Sequence, residues 1–117
     1  MKRDMTLIRS ILSDLEENCS GVRAYKPDPA KFSTDSDSFS FHCRLIMERG
    51  LASGNNSFDG IYFFGLTWDG FDFLDDSRNS EVWNATLKSA GNLSFGVFKD
   101  VLKSVAKAFA LKSLGLG

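Results

Sequence analysis

The stretch Phe39-Ser40-Phe41-His42-Cys43-Arg44-Leu45-Ile46-Met47-Glu48-Arg49-Gly50-Leu51 decides how this 117-residue chain is read. Its pattern is apolar-Ser-x-His-apolar-x-x-apolar-x-x-x-Gly-Leu. That is a helix with one buried face, stopped by a glycine and running straight into the next segment. Just upstream, Thr34-x-x-Asp37 has the spacing of a capping box. Asp35 and Asp37 fall in the first turn, where the helix dipole favours anions. A helix from near Asp35 to Arg49 is expected, ended by Gly50.

Before it, Asp4 is placed to cap a helix over residues 5–17, on which Leu7, Ile8, Ile11, Leu12 and Leu15 form an apolar stripe. Asn18 to Gly21 supplies its stop. Pro27 and Pro29 argue against a helix in residues 22–33, and Val22 to Tyr25 reads as a short edge strand. After Gly50, Leu51 to Ser53 and Ile61 to Leu66 are expected to pair as a hairpin around a loop from Gly54 to Gly60. Thr67 is expected to cap a helix packed through Phe71, Phe73 and Leu74, and Ser80 a second carrying Val82, Trp83, Leu87 and Ala90. A last helix starts near Ser94 with Phe95, Phe98, Val101, Leu102, Val105 and Phe109 on one face.

Composition bounds the class. The length suits one domain with a real core, and an apolar fraction of 43% points neither to disorder nor to a membrane protein. No apolar run reaches the length of a span and no signal-peptide pattern opens the chain, so a cytoplasmic location is expected. Cys19 and Cys43 show no CxxC spacing and are expected to be reduced, largely buried thiols. Two cysteines and one histidine cannot complete a four-ligand zinc site. Net charge is −1 but unevenly spread: Asp69, Asp72, Asp75 and Asp76 precede Lys88, Lys99, Lys103, Lys107 and Lys112.

The opening stretch looks like a winged-helix recognition helix running into its wing. Tyr62-Phe63-Phe64-Gly65-Leu66-Thr67-Trp68-Asp69-Gly70 resembles the second wing strand and the Leu-Thr-x-x-Gly helix start after it. The fold class expected is therefore α+β: a winged-helix-like core over residues 1–78 and a C-terminal helical extension over 79–117. Residues 26–34 must replace the usual middle helix by a loop or a single turn. A closer resemblance is carried by Met1-Lys2-Arg3-Asp4-Met5 with Leu7-Ile8-Arg9, His42, Gly50-Leu51, Leu66-Thr67-Trp68-x-Gly70-x-x-Phe73-Leu74 and Val82-Trp83. Together these resemble domain-of-unknown-function family 2513, over nearly the whole chain, with residues 19–38 least matched and Phe71 where a histidine is expected. The resemblance implies the fold and a link to phages and prophages, and brings no activity.

Enzymatic chemistry finds no support. His42 and Cys43 are adjacent in a helix, so their side chains diverge by about 100° and form no nucleophile–base pair; a packed or capping histidine is expected. Asp72 and Asp76 share a helix face without a calcium-loop glycine. None of the glycines sits in a phosphate-binding motif. No catalytic residue, metal or cofactor is assigned.

The remaining choice is between partners. Ser40, Phe41, Arg44 and Leu45 flank the buried positions of the second helix, and two of these four are large and apolar. A DNA reader would place Arg, Lys, Asn or Gln there. Asp35 and Asp37 lie at the end that would enter the groove, where a carboxylate about 4 Å from a phosphate costs roughly 1 kcal/mol even in water. Protein binding, as a phage- or prophage-encoded modulator or inhibitor of a host protein, is the leading expectation. The alternative is a double-stranded-DNA-binding transcriptional regulator, a homodimer pooling Arg9, Arg44 and Lys99, Lys103 and Lys107 of the last helix. The partner is thus a host protein, a second copy of the chain, or DNA.

Overall fold

The computed structural model describes residues 1–115. The fold is mixed α+β, and the chain packs as two units, Met1–Asp72 and the segment from Phe73 onward. The first unit opens with α1 (Met5–Asn18), whose Met5, Ile8, Ile11, Leu12 and Leu15 are buried. Asp4 caps it as expected, its carboxylate accepting from the amides of Thr6 at 3.0 Å and Leu7 at 3.2 Å.

Residues 26–34 contain a single 3₁₀ turn, Pro29–Lys31, capped by Asp28. A polar cluster fastens this segment to α1. Tyr25 donates its hydroxyl proton to Asp14 Oδ2 at 2.7 Å, and Lys31 Nζ lies 3.2 Å from Asp14 Oδ1 and 3.3 Å from the Tyr25 oxygen. The expected edge strand at Val22 to Tyr25 shrinks to one bridge, in which Tyr25 and Phe63 exchange both backbone hydrogen bonds at 2.8 Å. Pro27, two residues on, has no N–H with which to extend the ladder.

The second helix, α2 (Ser36–Arg49), buries Phe39, His42, Cys43 and Ile46. Its cap is Asp35, not Thr34: the Asp35 carboxylate accepts from the Ser38 amide at 2.7 Å, because the capping residue stands immediately before the first helical residue. Gly50 closes the helix at φ 76°, a left-handed conformation that side chains with a Cβ resist.

β1 (Ala52–Ser57) and β2 (Gly60–Leu66) then pair antiparallel, with an irregularity between Ser53 and Gly54. The hairpin is longer than expected. Gly54, Asn55, Asn56 and Ser57 have loop composition but lie in the ladder, and only Phe58 and Asp59 form the turn. Backbone pairing does not depend on side chains, and β2 supplies the apolar anchor through Phe63, which is wholly buried.

α3 (Trp68–Ser77) carries the chain out of the first unit. Thr67 Oγ1 accepts from the Gly70 amide at 3.1 Å and donates to the Gly50 carbonyl, joining the end of α2 to the start of α3. In the second unit α4 (Ser80–Ala90) is capped by Asn79 rather than Ser80, since the Asn79 side chain accepts from the amides of Glu81 and Val82. Ser94 caps α5 (Phe95–Ser113). Phe73, Trp83, Phe95 and Phe98 make the core of this unit, with neighbouring ring centroids 5.5–6.5 Å apart. Val101, Val105 and Phe109, expected on the packed face of α5, are half-buried.

Candidate functional site

His42 is 1% exposed, and both its ring nitrogens are engaged by backbone. Nε2 lies 2.8 Å from the Asp4 amide, which can only donate, so Nε2 accepts; Nδ1 therefore carries the proton and donates to the Ser38 carbonyl at 2.7 Å. The ring has no lone pair left for a nucleophile. Burial pushes the neighbouring Cys43 thiol up to about 12, far from a reactive thiolate. Cys19 is half-buried, and its thiol is raised by burial and then by Asp14. Among the described residues no group of three or more His, Cys, Asp or Glu side chains is arranged to hold a metal ion. No described helix is long and apolar enough to cross a membrane.

The four residues flanking the buried face of α2 differ in exposure. Ser40 and Arg44 are exposed, whereas Phe41 and Leu45 are half-buried. Phe41 meets the His42 ring edge-on, centroids 5.2 Å apart, so part of its apolar surface is covered within the chain. Arg44 Nε lies 3.9 Å from Glu48 Oε1, one turn on, which offsets its charge. Lys99, half-buried, and Lys103 and Lys107, both exposed, stand on α5 in the second unit. The candidate residues are thus divided between the two units.

The prominent exposed side chains lie elsewhere. Phe58 is 105% exposed at the hairpin turn. The turn is braced: the Asp59 carbonyl accepts from Lys26 Nζ, Asp59 Oδ2 accepts from the Tyr62 hydroxyl at 2.8 Å, and Lys26 Nζ lies 5.9 Å from the centre of the Tyr62 ring. Trp68 is 84% and Phe71 43% exposed on α3. Phe71 is expected to pack with Phe73 and Leu74; those two are buried, whereas Phe71 is left partly exposed. Sequence reasoning passed over Phe58, although an aromatic residue between Ser57 and Asp59-Gly60, in a run of turn-forming residues, is a signal in itself.

Residues 2–95 match the family described as "Hypothetical protein (DUF2513)". The chain belongs to this family. The DUF2513 match runs from the segment that caps α1 to the first residue of α5. An "Uncharacterized protein" of Haemophilus influenzae (strain ATCC 51907 / DSM 11121 / KW20 / Rd) is 33% identical over 118 residues, covering 97% of this chain and 99% of that relative. The relative therefore spans α5 as well. No solved structure matches.

Proposed function

We infer that this DUF2513 protein is a non-enzymatic binding protein whose first unit is winged-helix-like. It acts by contact with another protein, as a phage- or prophage-encoded modulator of a host protein. The order of helix, single bridge, helix and hairpin supports the fold, with Tyr25 in the place of the first strand and the 3₁₀ turn in the place of the middle helix. The observation that carries the function is Phe58. A phenylalanine fully in water at a braced two-residue turn adds nothing to the core, while aromatic anchors dominate the energetics of protein interfaces. The exposed Ser40 and Arg44 of α2 belong to the same unit and extend the contact surface.

The surface chemistry disfavours duplex DNA. From Asn55 to Asp59 the hairpin tip has no cation, Lys26 is engaged by Asp59, Arg44 is offset by Glu48, and Asp35 and Asp37 stand at the start of α2. The second reading, a homodimeric DNA-binding regulator, is favoured by the element order and by Lys99, Lys103 and Lys107 on α5. One experiment separates the two. Wild-type and Phe58→Ser protein are used to capture partners from host lysate, beside selection of genomic DNA fragments. A host protein retained by the wild type and lost by Phe58→Ser supports the reading; sequence-specific DNA retained equally by both overturns it.

A further inference from the structure

α3 has two faces of opposite character. Gly70, Phe73, Leu74 and Ser77 are buried, while Trp68, Asp69, Phe71, Asp72 and Asp75 are exposed. At about 100° per residue, Trp68, Phe71, Asp72 and Asp75 lie side by side, with Asp69 at the rim. Asp75 is held by Arg78 at 2.9 Å, whereas among the described residues Asp69 and Asp72 have no hydrogen-bonding or ion-pairing side-chain partner. An exposed tryptophan beside a phenylalanine is a large apolar area to leave in water, since such side chains bury about 150–250 Å² each.

The chain also contains a complement to this face. Lys99, Lys103 and Lys107 succeed one another at i, i+4 on α5, and among the described residues none is ion-paired. They span about 12 Å of helix, and Trp68 to Asp75 spans about 10.5 Å, so the two rows match in length. Lysine suits this surface chemically: its four-carbon stem covers aromatic rings, its ammonium group is attracted to an indole face, and the carboxylates of Asp69 and Asp72 stand alongside. With a net charge of only −1, two copies approach without strong mutual repulsion.

We propose that the aromatic and acidic face of α3 docks on the lysine row of α5 in a second copy of this chain. Each copy offers one face of each kind, so the α3 face of one copy meets the α5 row of the other. The proposal goes beyond the function inferred above and does not use Phe58.

Sedimentation velocity of the full chain over a range of concentrations and two salt concentrations tests it. The expected result is a concentration-dependent dimer that weakens as salt rises. Asp69→Lys/Asp72→Lys and Lys99→Glu/Lys103→Glu/Lys107→Glu should each lose the dimer alone. An equimolar mixture of the two should regain it, because each altered face then meets its opposite. Circular dichroism melts confirm that the variants are folded, and Asp69→Asn/Asp72→Asn, which should also weaken the dimer, replaces the first should it fail to fold. A wild type monomeric throughout, a single-charge-swap protein that dimerises like the wild type, or a mixture that stays monomeric would each overturn the proposal. None of these bears on capture through Phe58, so the two readings fail separately.

Discussion

His42 on α2 accepts the backbone amide of Asp4, 38 residues away, at 2.8 Å, while the carboxylate of that same Asp4 caps α1. One residue is thus held by α2 through its main chain and holds α1 through its side chain. His42→Phe keeps a ring in the cavity but removes the acceptor, leaving the Asp4 amide and the Ser38 carbonyl without this partner. The expected loss is about 1–3 kcal/mol, read as a lower urea midpoint at unchanged slope. His42→Gln, whose side-chain oxygen reaches about as far as Nε2, should recover part of it. Equal midpoints for wild type and His42→Phe would remove this contact from the account of stability.

Gly70 and Gly96 make a matched pair of glycine substitutions. A Cβ at Gly70 would stand 2.0 Å from the Leu51 carbonyl oxygen and 3.0 Å from its carbon, backbone atoms with little room to yield. Gly70→Ala should destabilise by about 1–3 kcal/mol or more. A Cβ at Gly96, in the first turn of α5, meets nothing within 4 Å, so Gly96→Ala should stabilise by about 0.5–1 kcal/mol. Thermal melts of both variants check the pair; a Gly70→Ala protein melting with the wild type would contradict the close approach.

The two tyrosines should titrate late. Burial and then the Asp14 hydrogen bond raise the Tyr25 phenol, against an opposing pull from Lys31, and the Asp59 hydrogen bond raises Tyr62. A folded-state value above the unfolded one means that the stability Tyr25 contributes is complete below about pH 10 and is lost as pH rises through the folded value. Ultraviolet titration should show phenolate absorbance lagging behind that of the urea-unfolded chain. Tyr25→Phe should leave Tyr62 as the single transition. Folded and unfolded curves that coincide would refute the shifts.

Binding to random duplex DNA should be weaker than about 10 µM near physiological salt, toward the weak end of the usual non-specific range of about 10⁻⁴–10⁻⁶ M. Fluorescence anisotropy at two salt concentrations measures this. Submicromolar binding with a steep salt slope, lost on Arg44→Ala or on Lys99→Ala/Lys103→Ala/Lys107→Ala, would make the regulator reading the better one.

Most of the element boundaries were legible because their signals are local. The cap at Asp4, the start of α5 near Ser94, the apolar stripe of α1, the glycine at the end of α2 and the threonine before α3 each rest on signals within one or two turns of where they stand. The misreadings were local as well: Asp35 beside Thr34 and Asn79 beside Ser80 are equally good capping residues one position apart, and only the observed helix start selects between them. The hairpin is longer than its composition suggests because the Ser-Gly-Asn-Asn-Ser run of β1 has the composition of a loop, while its backbone pairs with a partner strand that Phe63 anchors in the core.

The exposed aromatics were illegible for a different reason. Phe58, Trp68 and Phe71 have the chemistry of core residues, and whether such a ring is covered depends on segments distant in sequence. The sequence alone settled where α1 and α2 lie along the chain, because capping, periodicity and glycine stops depend on near neighbours. Only the tertiary structure decided that His42 reaches Asp4, that Tyr25 and Lys31 converge on Asp14, and that Phe58 and Trp68 face water. Each of those depends on which parts of the chain meet in space, and a side chain's type does not specify its partner.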